Sequence, residues 1–271
     1  MGSGIAQLCA TAGCNTILYE LDPATLDKSR RSIQRNLELL VEKNKIQRGE
    51  NETILQRLHF TNDLQECIAE IVIEAIIEKE SAKLEMFERL AVLNSEETIF
   101  ATNTSSLSVS GIGNKIVNPS RVIGMHFFNP APVMKLVEVV RAGKTSEETV
   151  SSIVAFAKQL GKTPVVCKDS PGFIVNRVAR PFYIESLRLV EETNIDFKTI
   201  DRVLEETGFK MGPFKLMDLI GNDVNYSVSA GVYDQLSKPE RLKPSYIQAE
   251  KVDKGELGRK TGKGYYEYKQ Q

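Results

Sequence analysis

The chain has 271 residues, enough for one large domain or two smaller ones, and its 41% hydrophobic and 26% charged residues are ordinary for a globular protein. A net charge of −1 argues against a nucleic-acid binder, which is usually strongly basic. No apolar run approaches the roughly 20 residues of a membrane span; the most apolar stretch, Ile71 to Ile77, is broken by Glu74.

Taken in chain order, Gly4 to Ala12 is small and helical and is stopped by Gly13, as a glycine past a helix end does. Thr16 to Tyr19 reads as a short buried strand. Asp22-Pro23 starts a helix, with Asp as N-cap and Pro in the first turn, that should reach about Asn44. Leu-His-Phe around His59 is strand-like. Ile71 to Ile77 reads as a strand, Ser81 to Leu93 as a helix and Thr98 to Thr102 as a strand. Val122 to His126 and Leu136 to Val140 are further strands, followed by a helix from Ser146 to Leu160 and a last strand from Pro164 to Cys167. Strands alternating with helices predict an α/β fold with a doubly wound parallel sheet. From Phe173 onward the pattern is helical: Ile174 to Glu192, Phe197 to Thr207, Phe214 to Ile220 and beyond. The break at Asp169-Ser170-Pro171-Gly172 divides the chain into a domain over 1–169 and an all-helical C-terminal domain over 170–271.

No basic-then-apolar leader opens the sequence, so a cytoplasmic protein is expected. The scattered cysteines Cys9, Cys14, Cys67 and Cys167 have no metal-ligand spacing and read as buried free thiols, with no metal site.

Met1-Gly2-Ser3-Gly4-Ile5-Ala6 has the form of the second half of a Gly-rich phosphate loop running into its helix, although taken alone it also reads as a flexible N-terminus. Context favours the loop. An acid about 20 positions on, at the end of the second strand, binds a ribose 2′-hydroxyl in a dinucleotide site. Glu20 closes Ile17-Leu18-Tyr19 at that place and favours NAD over NADP; its competing reading is a turn acid beside the N-cap Asp22. The strand and further glycines that open a complete fingerprint do not precede Met1. In the order 3-2-1-4-5-6 the first strand is central. The expectation is therefore that inner strand edges are unpaired and buried, and that the natural protein begins about ten or more residues earlier with an apolar strand and a Gly-x-Gly turn.

Seven motifs in order resemble the 3-hydroxyacyl-CoA dehydrogenase family, including its bacterial 3-hydroxybutyryl-CoA members: MGSGIA (1–6), IEAIIE (73–78), ATNTSSL (101–107), GMHFFNPAPVMKLVEVV (124–140), CKDSPGFIVNR (167–177), MGPFKLMDLIG (211–221) and GRKTGKGYYEY (258–268). The resemblance implies a Rossmann-type NAD-binding domain, a helical domain that forms a homodimer, an acyl-CoA substrate, and oxidation of (S)-3-hydroxyacyl-CoA, with 3-hydroxybutyryl-CoA expected, in fatty-acid or butanoate metabolism. It implies His126 and Glu138 as the catalytic pair. A histidine titrating near neutrality can take the hydroxyl proton, and a carboxylate on its other nitrogen fixes the tautomer and supports the imidazolium. It further implies Ser105 and Asn176 as hydrogen-bonding partners of the substrate oxygen, and Gly2, Glu20, Glu78, Lys83, Ser105 and Asn129 at the cofactor. Asn36, Lys43 and Lys260 fall near the CoA. The basic run Lys28, Arg30, Arg31, Arg35 reads as a solvated helix face, and Ser105 also reads as a helix cap. Two other readings stay open. One is a β-hydroxyacid dehydrogenase with another substrate, a group that generally uses a Lys base. The other is a non-catalytic protein that kept the fold, as some lens crystallins did, since fold does not decide function.

Overall fold

A computed structural model describes residues Met1–Lys269. The chain forms two compact units, the first Met1–Asp169 and the second from Ser170 onward.

In the first unit, helix α1 (Gly2–Thr11) ends in a Schellman turn, with Gly13 at φ +95°, Gly13 N donating to Ala10 O and Cys14 N to Cys9 O. Strand β1 (Thr16–Tyr19) follows, then α2 (Pro23–Glu42), whose N-cap Asp22 accepts from the backbone N–H groups of Ala24 and Thr25. The chain continues through α3 (Arg48–Gln56), β2 (Leu58–Thr61), β3 (Ile71–Glu74), α4 (Glu80–Leu93) and β4 (Ile99–Thr102). It closes with α5 (Val109–Gly113), β5 (Val122–Phe127), β6 (Leu136–Arg141), α6 (Glu147–Gln159) and β7 (Thr163–Lys168).

The strands make two sheets. β1 pairs in parallel with β2, and a five-stranded sheet runs β3-β4-β5-β6-β7. The ladder is interrupted between β1 and β3, where unpaired inner edges are expected. Only Leu18 of β1 and Glu74 of β3 are buried, the other residues of both strands being half-buried. β1 is thus not the buried strand its sequence suggests. α1 spans the interruption: Ile5, Leu8 and Cys9 join the core under the large sheet, while Ala6 and Ala10 pack with Leu18, Leu37 and Leu58.

The sheet is parallel in the main, as expected for a doubly wound fold, with one exception at β6, which runs antiparallel to β5. Residues 128–135 form a connection too short for the crossover of a dozen or more residues that a parallel pair requires. β4 and β5 are buried along their whole length, because helices cover both faces. Ala101, Ile123 and Met125 face α1 and α6, whereas Phe100 and Val122 face Phe87 and Leu90 of α4 and Ile112 of α5. β3 stops at Glu74 rather than at Ile77, because the Glu74 carboxylate turns back to accept from Ile76 N.

All four cysteines are free. Only Cys9 is buried, and the expectation of four buried thiols is corrected for Cys14, Cys67 and Cys167, which lie half-buried at a helix end, after a turn and on the edge strand β7.

The second unit is built from α7 (Val175–Thr193), α8 (Phe197–Glu206), α9 (Pro213–Ile220), α10 (Asn222–Gln235) and α11 (Tyr246–Asp253). Phe197, Phe214 and Tyr265 pack edge-on or tilted, with ring centroids 4.6–5.0 Å apart. Two buried carboxylates lock this core. Asp201 accepts from Phe214 N, Lys215 N and the Tyr266 hydroxyl; Asp218 accepts from Asn222, Tyr265 N, Tyr266 N and the Tyr268 hydroxyl. The MGPFKLMDLIG and GRKTGKGYYEY segments are therefore held together by buried anions satisfied by backbone and hydroxyl donors. Among the described residues no helix is long and apolar enough to cross a membrane.

Candidate active site

The antiparallel register of β5 and β6 sets His126 directly opposite Glu138. Gly124 permits this close pairing, since a Cβ there would lie 2.7 Å from Val140 Cβ. Side chains alternate along a strand: Met125, Phe127, Val137 and Val139 enter the core on one face, and His126 and Glu138 point to the other. Nδ1 of His126 lies 2.7 Å from Glu138 Oε2, and both side chains are buried. A carboxylate can only accept, so Nδ1 carries the hydrogen and Nε2 is the basic nitrogen of the neutral ring. The ring also packs against Phe128 at 4.7 Å. Backbone N–H of Phe127 donates to Asn103 Oδ1, tying the end of β5 to the loop after β4.

A second polar cluster sits where β3 and β4 end. Lys83 on α4 is 1% exposed and its Nζ lies 2.7 Å from Glu74 Oε1 and 3.2 Å from Glu78 Oε2. Glu78 Oε1 accepts from the Thr104 hydroxyl at 2.6 Å, Ser105 N at 2.9 Å, Ser106 N at 3.1 Å and the Ser106 hydroxyl at 2.9 Å. Burial pushes the Glu78 carboxyl up, but the Thr104 hydrogen bond, the Lys83 charge and the Ser105 and Ser106 donors outweigh it and hold the group below its ordinary value. Ser105 is thereby held chiefly through its backbone, its hydroxyl making a longer contact of 3.5 Å to the same oxygen. It is not the helix cap: Ser108 caps α5 by accepting from Gly111 N. Lys83, expected at the cofactor, has its ammonium engaged between two carboxylates. Removing one partner of such a buried pair costs about 3–5 kcal/mol because a charge is left uncompensated.

The first turn of α1 has no side-chain cap and no acidic residue, so its N–H groups and dipole suit an anion. Gly2 faces Ala75, just past β3, and a Cβ on Gly4 would come within 3.3 Å of Pro132, so small residues let the helix start approach both segments. Lys162 steadies the second of these, its buried ammonium donating to Ala131 O at 2.6 Å and Met134 O at 2.8 Å. Glu20 ends β1, and its Oε1 accepts from Asp22 N at 3.3 Å, while Asp22 is the true cap of α2. An uncapped helix start and an acid at the end of the neighbouring strand fit a dinucleotide with a free 2′-hydroxyl.

The remaining expected residues are spread out. Asn129 is exposed in the connection after β5. Asn36 reaches from α2 to α1, donating to Gln7 Oε1 at 3.2 Å, and Lys43 is the exposed C-cap of α2. Of the basic run, Arg31 pairs with Asp27 and Arg30 lies over the Phe60 ring at 4.8 Å, both on the α2 surface. In the second unit Asn176 stands at the start of α7, its carbonyl accepting from Arg180 Nε at 2.8 Å. Lys260 is paired with Asp223, 2.6 Å from Oδ1.

Sequence reasoning missed Glu74, Thr102, Thr104 and Ser106. The signals were present: an acid inside the apolar run Ile71 to Ile77, and Lys83 four and seven residues before Phe87 and Leu90, the other members of the buried stripe on α4. A charge on a buried stripe demands a buried counter-charge.

Residues 1–170 match the 3-hydroxyacyl-CoA dehydrogenase NAD-binding domain and residues 172–268 the C-terminal domain of the same family. The chain is 42% identical to a 3-hydroxyadipyl-CoA dehydrogenase of Escherichia coli, with 99% of this chain and 57% of that protein covered. It is 39% identical to the mitochondrial hydroxyacyl-coenzyme A dehydrogenase of Sus scrofa, covering 99% of this chain and 88% of that protein. The crystal structure of (S)-3-hydroxybutyryl-CoA dehydrogenase from Ralstonia eutropha superposes with a TM-score of 0.95 at 34% identity, covering 100% of this chain and 96% of that one. The chain thus spans little more than half the length of the Escherichia coli relative and most of the length of the other two.

Proposed function

The chain belongs to the 3-hydroxyacyl-CoA dehydrogenase family, and from that premise we propose that it catalyses the reversible oxidation of an (S)-3-hydroxyacyl-CoA to the 3-oxoacyl-CoA with NAD. The buried His126–Glu138 pair, opposed in register across β5 and β6, carries this reading.

NAD supplies the hydride acceptor for C3. His126 takes the hydroxyl proton at Nε2 as the C3–O bond becomes a carbonyl, and returns it in the reverse direction. Glu138 holds the ring by Nδ1 and stabilises the imidazolium that forms. Ser105 and Asn176 hydrogen-bond the substrate oxygen, where charge develops. Gly2 at the start of α1 would admit the pyrophosphate, Glu20 would take the ribose hydroxyls, and Glu78, Lys83, Ser105 and Asn129 would complete the cofactor's surroundings. Asn36, Lys43 and Lys260 serve the CoA portion, the lysines by their charge. A short substrate, 3-hydroxybutyryl-CoA, agrees with the activity named for the Ralstonia structure.

The protein works in the cytoplasm as a homodimer formed by its helical unit, where Val178, Phe209, Leu219, Ile220 and Val224 are exposed apolar side chains in need of cover. Two experiments test these readings. Purified protein should consume NADH when given acetoacetyl-CoA; NADH binding without turnover would leave only a binding role. Light scattering should return twice the chain mass, and a monomer would remove the dimer from the proposal.

A further inference from the structure

Glu74 has no role in the chemistry above, yet its carboxylate is 1% exposed at the end of an otherwise apolar strand. Both oxygens are engaged. Oε1 accepts from Lys83 Nζ and from Ile76 N, each at 2.7 Å, and Oε2 accepts from the Thr102 hydroxyl at 2.7 Å. One carboxylate therefore joins the ends of β3 and β4, the turn after β3, and α4. Thr102 Oγ1 also accepts from Thr104 N at 3.2 Å, and Glu74 O accepts from Asn103 N at 2.8 Å. From Lys83 the contacts continue to Glu78, and from Glu78 Oε1 to the backbone N–H groups of Ser105 and Ser106.

An ammonium shared between two carboxylates is held back from each of them. With Glu74 the nearer partner, Lys83 leaves Glu78 Oε1 to the donors of the serine loop. Without the Glu74 charge, Lys83 would close on Glu78 Oε2, and the movement of that carboxylate would draw Oε1 out of line with the Ser105 and Ser106 donors. The turn carrying Glu78 would also lose its anchor at Ile76 N.

We propose that Glu74 is a positioning residue for the reaction: by sharing Lys83 with Glu78 and gripping Thr102, it sets the Ser105 loop in the geometry that meets the substrate oxygen. This rests on the functional reading above, in which Ser105 hydrogen-bonds that oxygen. A residue that merely filled space would affect folding and leave turnover per folded molecule unchanged; a positioning residue changes kcat.

The test is Glu74→Gln, which keeps the size and one acceptor but removes the charge. Removing an oxyanion donor outright costs about 10²–10³-fold in kcat, so displacing one should cost about tenfold. KM for acetoacetyl-CoA should stay within about twofold, because groups distant from the reacting oxygen hold the CoA. Should Glu74→Gln not fold, Thr102 decides. Thr102→Val keeps the branched shape without the hydroxyl and should lower kcat, whereas Thr102→Ser keeps the hydroxyl without the methyl and should restore it. Wild-type kcat in folded Glu74→Gln, or in Thr102→Val, overturns the proposal while leaving the enzyme's reading intact. A wild-type protein that consumes no NADH overturns the functional reading and this inference with it.

Discussion

His126 and Glu138 face each other across β5 and β6, joined by a 2.7 Å contact between Nδ1 and Oε2 inside a buried part of the sheet. The pairing makes the imidazole a base of defined tautomer rather than a rotating ring. His126→Gln should lower kcat for acetoacetyl-CoA reduction by roughly 10²–10⁴-fold, the usual contribution of a positioned acid–base group. NADH binding, followed by fluorescence, should be nearly unchanged. Glu138→Gln should lose activity for want of the charge that supports the imidazolium. Undiminished turnover in His126→Gln would falsify the mechanism.

Cofactor choice should follow Glu20. A 2′-phosphate placed at the end of β1 would face its carboxylate, and like charges at close range repel. The protein should prefer NADH to NADPH in kcat/KM, and Glu20→Ala should narrow the difference. Because Asp22 is the α2 cap, the substitution should leave the melting temperature close to that of the parent. Equal use of both cofactors by the unmodified protein would make Glu20 a turn acid alone.

Acid should act on Glu78. Its carboxyl is held below the ordinary value of 4.5. A group with a depressed folded-state pKa stabilises the fold above that ordinary value, and the contribution is lost as pH falls through the folded value. Melting temperature should therefore decline from about pH 5 downward, and less steeply in Glu78→Gln, which has no such proton to bind. Parallel acid limbs for parent and variant would show that Glu78 contributes nothing to the acid response.

The C-terminal segment should depend on Gly264. A Cβ there would fall 2.0 Å from Asp218 Oδ1, and Asp218 cannot retreat while it holds Asn222, Tyr265 N, Tyr266 N and the Tyr268 hydroxyl. Gly264→Ala should destabilise the protein by about 3 kcal/mol or more, through overpacking and the loss of a buried hydrogen-bond cluster. Gly231→Ala in α10, where a Cβ meets only Gln235 Nε2 at 3.9 Å, should be neutral or stabilising by up to about 1 kcal/mol. Denaturant melts of the two variants check the contrast; equal melts would mean that the Asp218 cluster yields more easily than its packing indicates.

What could be read along the chain was local. The alternation of strand and helix, the Asp22 cap, the Gly13 stop and the change of pattern after Asp169 follow from backbone preferences and side-chain period, which act within a few residues. The residue types of the proposed catalytic pair stand in the family motifs. Tertiary structure alone decided the rest. Two residues twelve positions apart, His126 and Glu138, meet only because β6 turns back antiparallel and Gly124 lets it approach. Lys83 is a buried ion-pair partner because α4 lays that face on the sheet above Glu74. The large sheet starts at β3, with β1 and β2 apart from it, because backbone ladders form only where another strand's register is within reach. These pairings join distant parts of the chain, and no pattern of neighbouring residues encodes which burial and which register will satisfy a buried charge.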